Sequence, residues 1–199
     1  MNKSLLATRS GLTLLAAILA LSLSLVRPVP ANAYTAHHLC SAYFPLQCTA
    51  LPGGNTYAGA RIVMWWRGVT SSDFVEHHVG DVSTSPAWPF VNGSGDNTAL
   101  KGHHVWEFRY QPNTSWCLGV DPNNPHHVVL VSCSDGPGRW WVQNGDQNYS
   151  AGFANVYATN HASNYTFQWL YINGTSDGYY VYTEPVGYSG FYGWRYISE

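Results

Sequence analysis

The sequence predicts an all-β fold: a closed barrel built from three similar units and capped by hairpins. Three observations predict it. Tyr, Trp, Phe, Val and Thr are abundant, while Gly, Pro, Asn and Ser interrupt the chain at short intervals. No segment beyond the N-terminal apolar run keeps a helical period for three turns. Trp88, Trp141 and Trp194 recur at an even spacing of about 53 residues, the mark of an internal repeat.

The N-terminus reads as an export signal. Lys3 and Arg9 precede an apolar stretch from Gly11 to Val26, and Ala31-Asn32-Ala33 fits a small-x-small cleavage site. The apolar core is shorter than the roughly 20 residues a spanning helix needs. Cleavage after Ala33 divides the chain into a signal peptide, 1–33, and one secreted domain, 34–199, soluble and extracellular. Of the basic residues, Arg61, Arg67, Lys101, Arg109, Arg139 and Arg195 then remain against 11 acidic residues. With no basic stripe to meet phosphates, neither nucleic acid nor an anionic membrane surface is an expected partner.

All four cysteines, Cys40, Cys48, Cys117 and Cys133, lie in the exported part. An even count in an oxidising compartment points to two disulfides. Of the possible pairings, the local ones, Cys40–Cys48 and Cys117–Cys133, are favoured, because each staples a hairpin-sized loop. Zinc ligation is the rival, but no C-x-x-C spacing supports it.

Strands follow from short apolar or alternating runs between turn signals. They are 61–66, 105–110, 128–131, 166–172 and 179–183. Asn92-Gly93, Asn144-Gly145 and Asn173-Gly174 are hairpin-type dipeptides. The segment from Ser71 to Gly102 reads as long loops around one strand near Trp88 to Val91.

The repeat appears in detail when 105–110 and 116–122 are set beside 166–171 and 179–185. Each gives a strand, a polar turn, an aromatic-led strand and an acid-Pro pair. The stretches 38–43 and 47–52 form a weaker third copy. Units of roughly 35–92, 93–145 and 146–199 result, each ending near one of the spaced tryptophans. Aligning on Asn-Gly instead matches Trp88 with Trp140, a one-residue slip that exchanges strand faces. Three such units must share one core, and a closed barrel leaves few open edges.

The second unit carries a further signal. Trp116-Cys-Leu-Gly-Val-Asp-Pro122, then Val128-Val-Leu-Val-Ser-Cys133, then Arg139-Trp-Trp141 resembles one repeat of the ricin B-type β-trefoil lectin family. That family's pattern is Cys-Leu-Asp-Val, a loop, Val-x-Leu-x-x-Cys and a closing Gln-x-Trp. The resemblance implies a β-trefoil with a sugar pocket on each unit. There an Asp accepts bonds from sugar hydroxyls, a ring stacks on the sugar face, and an Asn or His completes the site. The chain departs from the pattern where Gly119 stands at the Asp position. It departs again where Arg139 or Gly138 replaces the Gln.

The expected function is therefore a secreted, non-catalytic carbohydrate-binding protein with no cofactor. Its candidate sugar-binding residues are Asp121, Asn123, Asn124 and His127 in the polar loop of the second unit, with Trp140 as an exposed stacking platform. Trp140 is placed outward because Trp141 faces the core. Glu184 and Tyr188, with Phe191 and Tyr192, make an analogous site in the third unit. Two other classes compete. A trefoil can bind a protein, for example inhibiting a protease through the loop from Ser71 to Gly102. A secreted protein can also bind metal. His37-His38, His77-His78, His103-His104 and His126-His127 are adjacent pairs, and neighbours on a strand point to opposite faces. One pair is a poor chelate, and only pairs converging in space suit zinc or copper. No residue is assigned as a metal ligand. No nucleophile–base motif, Gly-x-Ser-x-Gly or His-Glu-x-x-His, is present.

Overall fold

Twelve strands appear in a computed structural model that describes residues 37–67, 73–86, 103–146, 150–162, 167–174, 176–185 and 192–198. In chain order the first four are β1 (His37–Ser41), β2 (Gln47–Ala50), β3 (Val63–Trp66) and β4 (Phe74–Asp81). Next come β5 (His104–Tyr110), β6 (Trp116–Asp121), β7 (Asn124–Ser132) and β8 (Trp141–Asp146). The last four are β9 (Ser150–Asn155), β10 (Gln168–Tyr171), β11 (Tyr182–Pro185) and β12 (Trp194–Ser198). A single-turn-and-a-half helix, α1 (Val156–His161), follows β9, its N-terminus capped by the Asn155 side chain accepting from Ala158 N–H.

Six strands close a barrel. β4 pairs with β5, β5 with β8, β8 with β9, β9 with β12 and β12 with β1, all antiparallel. A bridge between His38 and Asp73, with His38 Nδ1 3.4 Å from the Asp73 carboxylate, brings β1 against the start of β4. The other six strands form three hairpins, β2–β3, β6–β7 and β10–β11, which cap one end. The disulfides are Cys40–Cys48, at directly opposed positions of β1 and β2, and Cys117–Cys133. Both are the local pairings that the spacing favours.

Pseudo-threefold symmetry is explicit where the caps meet. The Ile62 N–H donates to Val128 C=O (3.1 Å), the Val128 N–H to Val181 C=O (3.4 Å), and the Val181 N–H to Ile62 C=O (3.0 Å). All three side chains are buried, so this cyclic set satisfies backbone groups that water cannot reach. Beneath it, the barrel core draws equivalent residues from each unit. Leu39, Phe108 and Phe153 come from β1, β5 and β9, and Phe74, Trp141 and Trp194 begin β4, β8 and β12. Trp141 Nε1 donates to Leu118 C=O and Trp194 Nε1 to Leu170 C=O, both at 2.9 Å.

Several expectations need correction. The segment read as loops after Ser71 contains the eight-residue strand β4. His77 and His78, on its two faces, are both exposed, and the register shifts between His78 and Gly80, so the sequence lacks a clean alternation there. In the first unit, Phe74 takes the place that Trp141 and Trp194 hold in the others, each pairing the first residue of its strand with the last of the next barrel strand. Trp88, the strand expected near Trp88 to Val91 and Asn92-Gly93 lie outside the described residues, as do the expected signal peptide and most of the loop expected to bind protein. Asn144-Gly145 sits inside β8 rather than at the turn, with Gly145 at φ 96° opposite Ala151.

Candidate functional site

The polar loop of the second unit divides in two directions. At its start, Asp121 is occupied locally: its carboxylate accepts the Asn123 N–H at 2.8 Å and closes the β6–β7 turn. At its end, His127 lies across from Tyr182 of β11, ring centroids 6.2 Å apart, with Nε2 3.2 Å from the Asn124 amide. Burial pushes the His127 imidazole below its ordinary pKa; the Arg61 charge adds to this, and Asp121 opposes it. His127 is thus a neutral donor or acceptor at neutral pH.

Glu184, expected in a separate third-unit site, stands beside the same loop. Its carboxylate is 3.8 Å from His126 Nδ1, and that nitrogen is 3.0 Å from Thr183 C=O. The contact between β7 and β11 therefore joins the two expected sites into one neighbourhood. Tyr188 and Phe191 lie outside the described residues.

Trp140 does not serve as a platform. It faces away from Trp141, as strand alternation requires, but that side of the barrel is covered. Trp140 is 6% exposed and packs with Val82, Val105, Val142 and Val156 in a second apolar cluster. Its Nε1 donates to Glu107 Oε1 at 3.2 Å, and the Arg139 guanidinium lies over its ring at 4.9 Å. Strand alternation does not expose it, because the outward side chains of Val105 on β5 and Val142 on β8, with Val82 after β4 and Val156 at the start of α1, pack around it.

The pocket implied by the family resemblance is also altered. A Cβ on Gly119 meets Val131 Cγ2 at 2.5 Å and Gly138 C=O at 2.9 Å. The space beside it is a small cavity of about 130 Å³, walled by Val120, Pro122, Val131, Pro137 and Tyr157. Arg139, on its edge, is committed to Glu107 and to Gly136 C=O. Gly119→Asp should therefore destabilise the protein by about 1–3 kcal/mol through overpacking rather than create a sugar ligand. A thermal melt with a parallel sugar-binding assay reads both outcomes.

The exposed aromatic surface lies on the cap, between the first and third units. Backbone bonds from Met64 N–H to Tyr179 C=O (2.7 Å) and from Gly178 N–H to Met64 C=O (2.9 Å) lay residues 178–181 alongside β3. Tyr179 and Tyr180 are each 45% exposed and Trp66 is 52% exposed. The Arg61 guanidinium sits 4.3 Å from the Tyr180 ring and 5.2 Å from that of Tyr182. Two of its nitrogens, Nε and Nη2, are buried without a hydrogen-bond acceptor among the described residues, so ring faces are what hold it. Next to these rings is an open depression of about 390 Å³, lined by Asn173, Asp177, Gly178, Tyr179, Tyr180 and Tyr182. Asp177 is positioned by the Gln47 amide, which donates to it at 3.1 Å; Gln47 is the cross-strand partner of Trp66.

Sequence reading named His127 and Glu184 near this surface but not Arg61, Tyr180, Tyr182 or Asp177. The run Tyr179-Tyr180-Val181-Tyr182 was the available signal. With Val181 buried at the axis, Tyr180 and Tyr182 share the other face of the extended chain.

No protein-family model matches the chain, and no curated protein matches it by sequence. Solved structures do. The designed threefold-symmetric protein ThreeFoil is similar at a TM-score of 0.58 and 14% identity, over 81% of this chain and 96% of that one. A mosquitocidal holotoxin is similar at a TM-score of 0.58 and 9% identity, over 82% of this chain and 17% of its own. The β-trefoil lectin of the Vibrio vulnificus hemolysin/cytolysin, solved with N-acetyl-D-lactosamine bound, is similar at 0.51 and 15% identity, over 83% and 96%. With the barrel, the three caps and the hydrogen-bonded axis, these likenesses show that the fold is a β-trefoil.

Proposed function

We propose that this β-trefoil is a secreted carbohydrate-binding protein without catalytic activity, and that its sugar lies on the aromatic strip of the cap. One observation carries the reading: Tyr180 and Tyr182, fixed by Arg61, border a depression that also holds Asn173 and Asp177. Two rings pinned before the ligand arrives cost little further entropy, and a flat ring offers apolar area to the C–H face of a pyranose. The Asp177 carboxylate can accept two hydroxyls in charge-assisted bonds, and the Asn173 amide can both donate and accept. The bound lactosamine of the Vibrio lectin makes a sugar ligand compatible with this fold, and the two disulfides suit an oxidising, extracellular setting.

Glycan-array screening, followed by titration of the retained sugar, tests this. Tyr180→Ala and Asp177→Ala are each expected to weaken binding on the order of tenfold or more, since a lost ring face or charge-assisted bond is worth about 1.4 kcal/mol or more. The fold should survive, because both side chains are exposed. Retention of no glycan by the parent protein overturns the proposal. So does a retained glycan whose affinity is unchanged in both variants.

A further inference from the structure

A second surface, on the barrel rather than the cap, gathers metal-binding chemistry. In the β4–β5 ladder His78 lies opposite Trp106, Gly80 opposite Val105 and Asp81 opposite His104. Val79 is the extra residue, so the strand bulges between His78 and Gly80. Strict alternation would put His78 and Asp81, three apart, on opposite faces. The bulge restores one residue of phase and turns both to the same face. Gly80, at φ 142°, adopts the backbone this requires. Asp81 Oδ1 is then 2.9 Å from His104 Nδ1 and 4.0 Å from His78 Nε2. The two imidazoles meet edge to face with centroids 5.0 Å apart. One donor atom from each of the three residues lies within 4.8 Å of the others, and each side chain is about half exposed. Two of the adjacent histidine pairs thus each lend one member to a common point, as a single pair cannot.

We propose that His78, Asp81 and His104 form a binding site for a borderline divalent cation, Zn²⁺ or Cu²⁺. Two imidazoles and a carboxylate are a nitrogen–oxygen donor set that suits these ions better than Ca²⁺ or Mg²⁺. Tetrahedral zinc, with ligands at about 2.0–2.2 Å, needs neighbouring donors roughly 3.3 Å apart. The Asp81–His104 distance is near that value, and the exposed His78 ring has freedom to close the rest. Three protein ligands leave a fourth position open to water or to a donor from outside. Trp106 reports on the site: its ring centroid is 4.9 Å from that of His78, and its Nε1 is held by the Gln143 side-chain oxygen.

Calorimetric titration with Zn²⁺ alone, on chelator-treated protein, should show one equivalent bound. His104→Ala and His78→Ala should each lower the affinity on the order of tenfold or more, by removing one of three ligands. His161→Ala, an exposed histidine stacked on Tyr157 elsewhere, should leave it unchanged. Cu²⁺ should quench tryptophan fluorescence in the parent and measurably less in Trp106→Phe. No uptake by the parent overturns the site. Affinity as high as the parent's in both His104→Ala and His78→Ala does too, as does quenching that is the same in Trp106→Phe. Because glycan binding is read on the cap by different variants, either proposal can fail without the other.

Discussion

Glu107→Ala is expected to cost about 3–5 kcal/mol, the range for removing one partner from a buried charge network. Glu107 is 4% exposed. Its Oε1 accepts from Arg139 Nε at 2.7 Å and from Trp140 Nε1 at 3.2 Å, and its Oε2 accepts from Arg109 Nη2 at 2.9 Å. Alanine leaves the guanidinium groups of Arg139 and Arg109 and the Trp140 indole N–H facing the space the carboxylate filled. Burial by itself raises the Glu107 pKa, but the hydrogen bonds and charges of Arg139 and Arg109 overcome it, and the group titrates below the ordinary carboxylate value. A pKa lowered on folding stabilises fully above the unfolded-state value, and that stability is lost as pH falls through the folded-state value. Urea denaturation should therefore show an acid limb in the parent, below the ordinary carboxylate range. Glu107→Gln should flatten it while retaining part of the stability at neutral pH. An unchanged acid limb in Glu107→Gln would assign that limb to other carboxylates.

Trp141→Ala and Trp194→Ala should each cost about 3–5 kcal/mol, because each empties the centre of the barrel. Both indoles are fully buried and begin equivalent strands. The phenylalanine variants separate packing from hydrogen bonding. Trp141→Phe keeps a ring but orphans Leu118 C=O, and Trp194→Phe orphans Leu170 C=O, a loss of about 1–3 kcal/mol each. Equilibrium unfolding should rank the series parent, Phe, Ala. If the two sites gave widely different losses, Trp141 and Trp194 would not be equivalent by symmetry. The first unit shows that a phenyl ring can hold this position, since Phe74 does so at full burial.

The fold was legible because a barrel of three units repeats its constraints. Inward aromatics and acid-Pro pairs occur in both the second and third units, so these two units mark each other. The first unit was misread where its strand is polar outside and bulged. Phe74 starts β4 without the tryptophan that flags β8 and β12, and the eye passes to Trp88 instead. Candidate chemistry was harder to read for a different reason. Whether a side chain such as Trp140 meets water depends on what other segments cover, and strand period alone carries no information on that. His127 and Glu184 are legible as polar residues of the second and third units, yet what makes their surroundings a surface of interest is Arg61, from the first unit, under Tyr180 and Tyr182. The convergence of His78 with His104 likewise hangs on one inserted residue in β4.

The three amides that close on one another at Ile62, Val128 and Val181 have no first or last member. Each hairpin is both giver and receiver, so two thirds of the molecule would be left with one hand empty on either side. Assembly consequently waits for segments far apart along the polypeptide, which makes for slow, all-or-none folding rather than unit-by-unit growth. It also means that a ligand resting on Tyr180 and Tyr182, one residue to either side of Val181, leans on a ring to which every unit contributes.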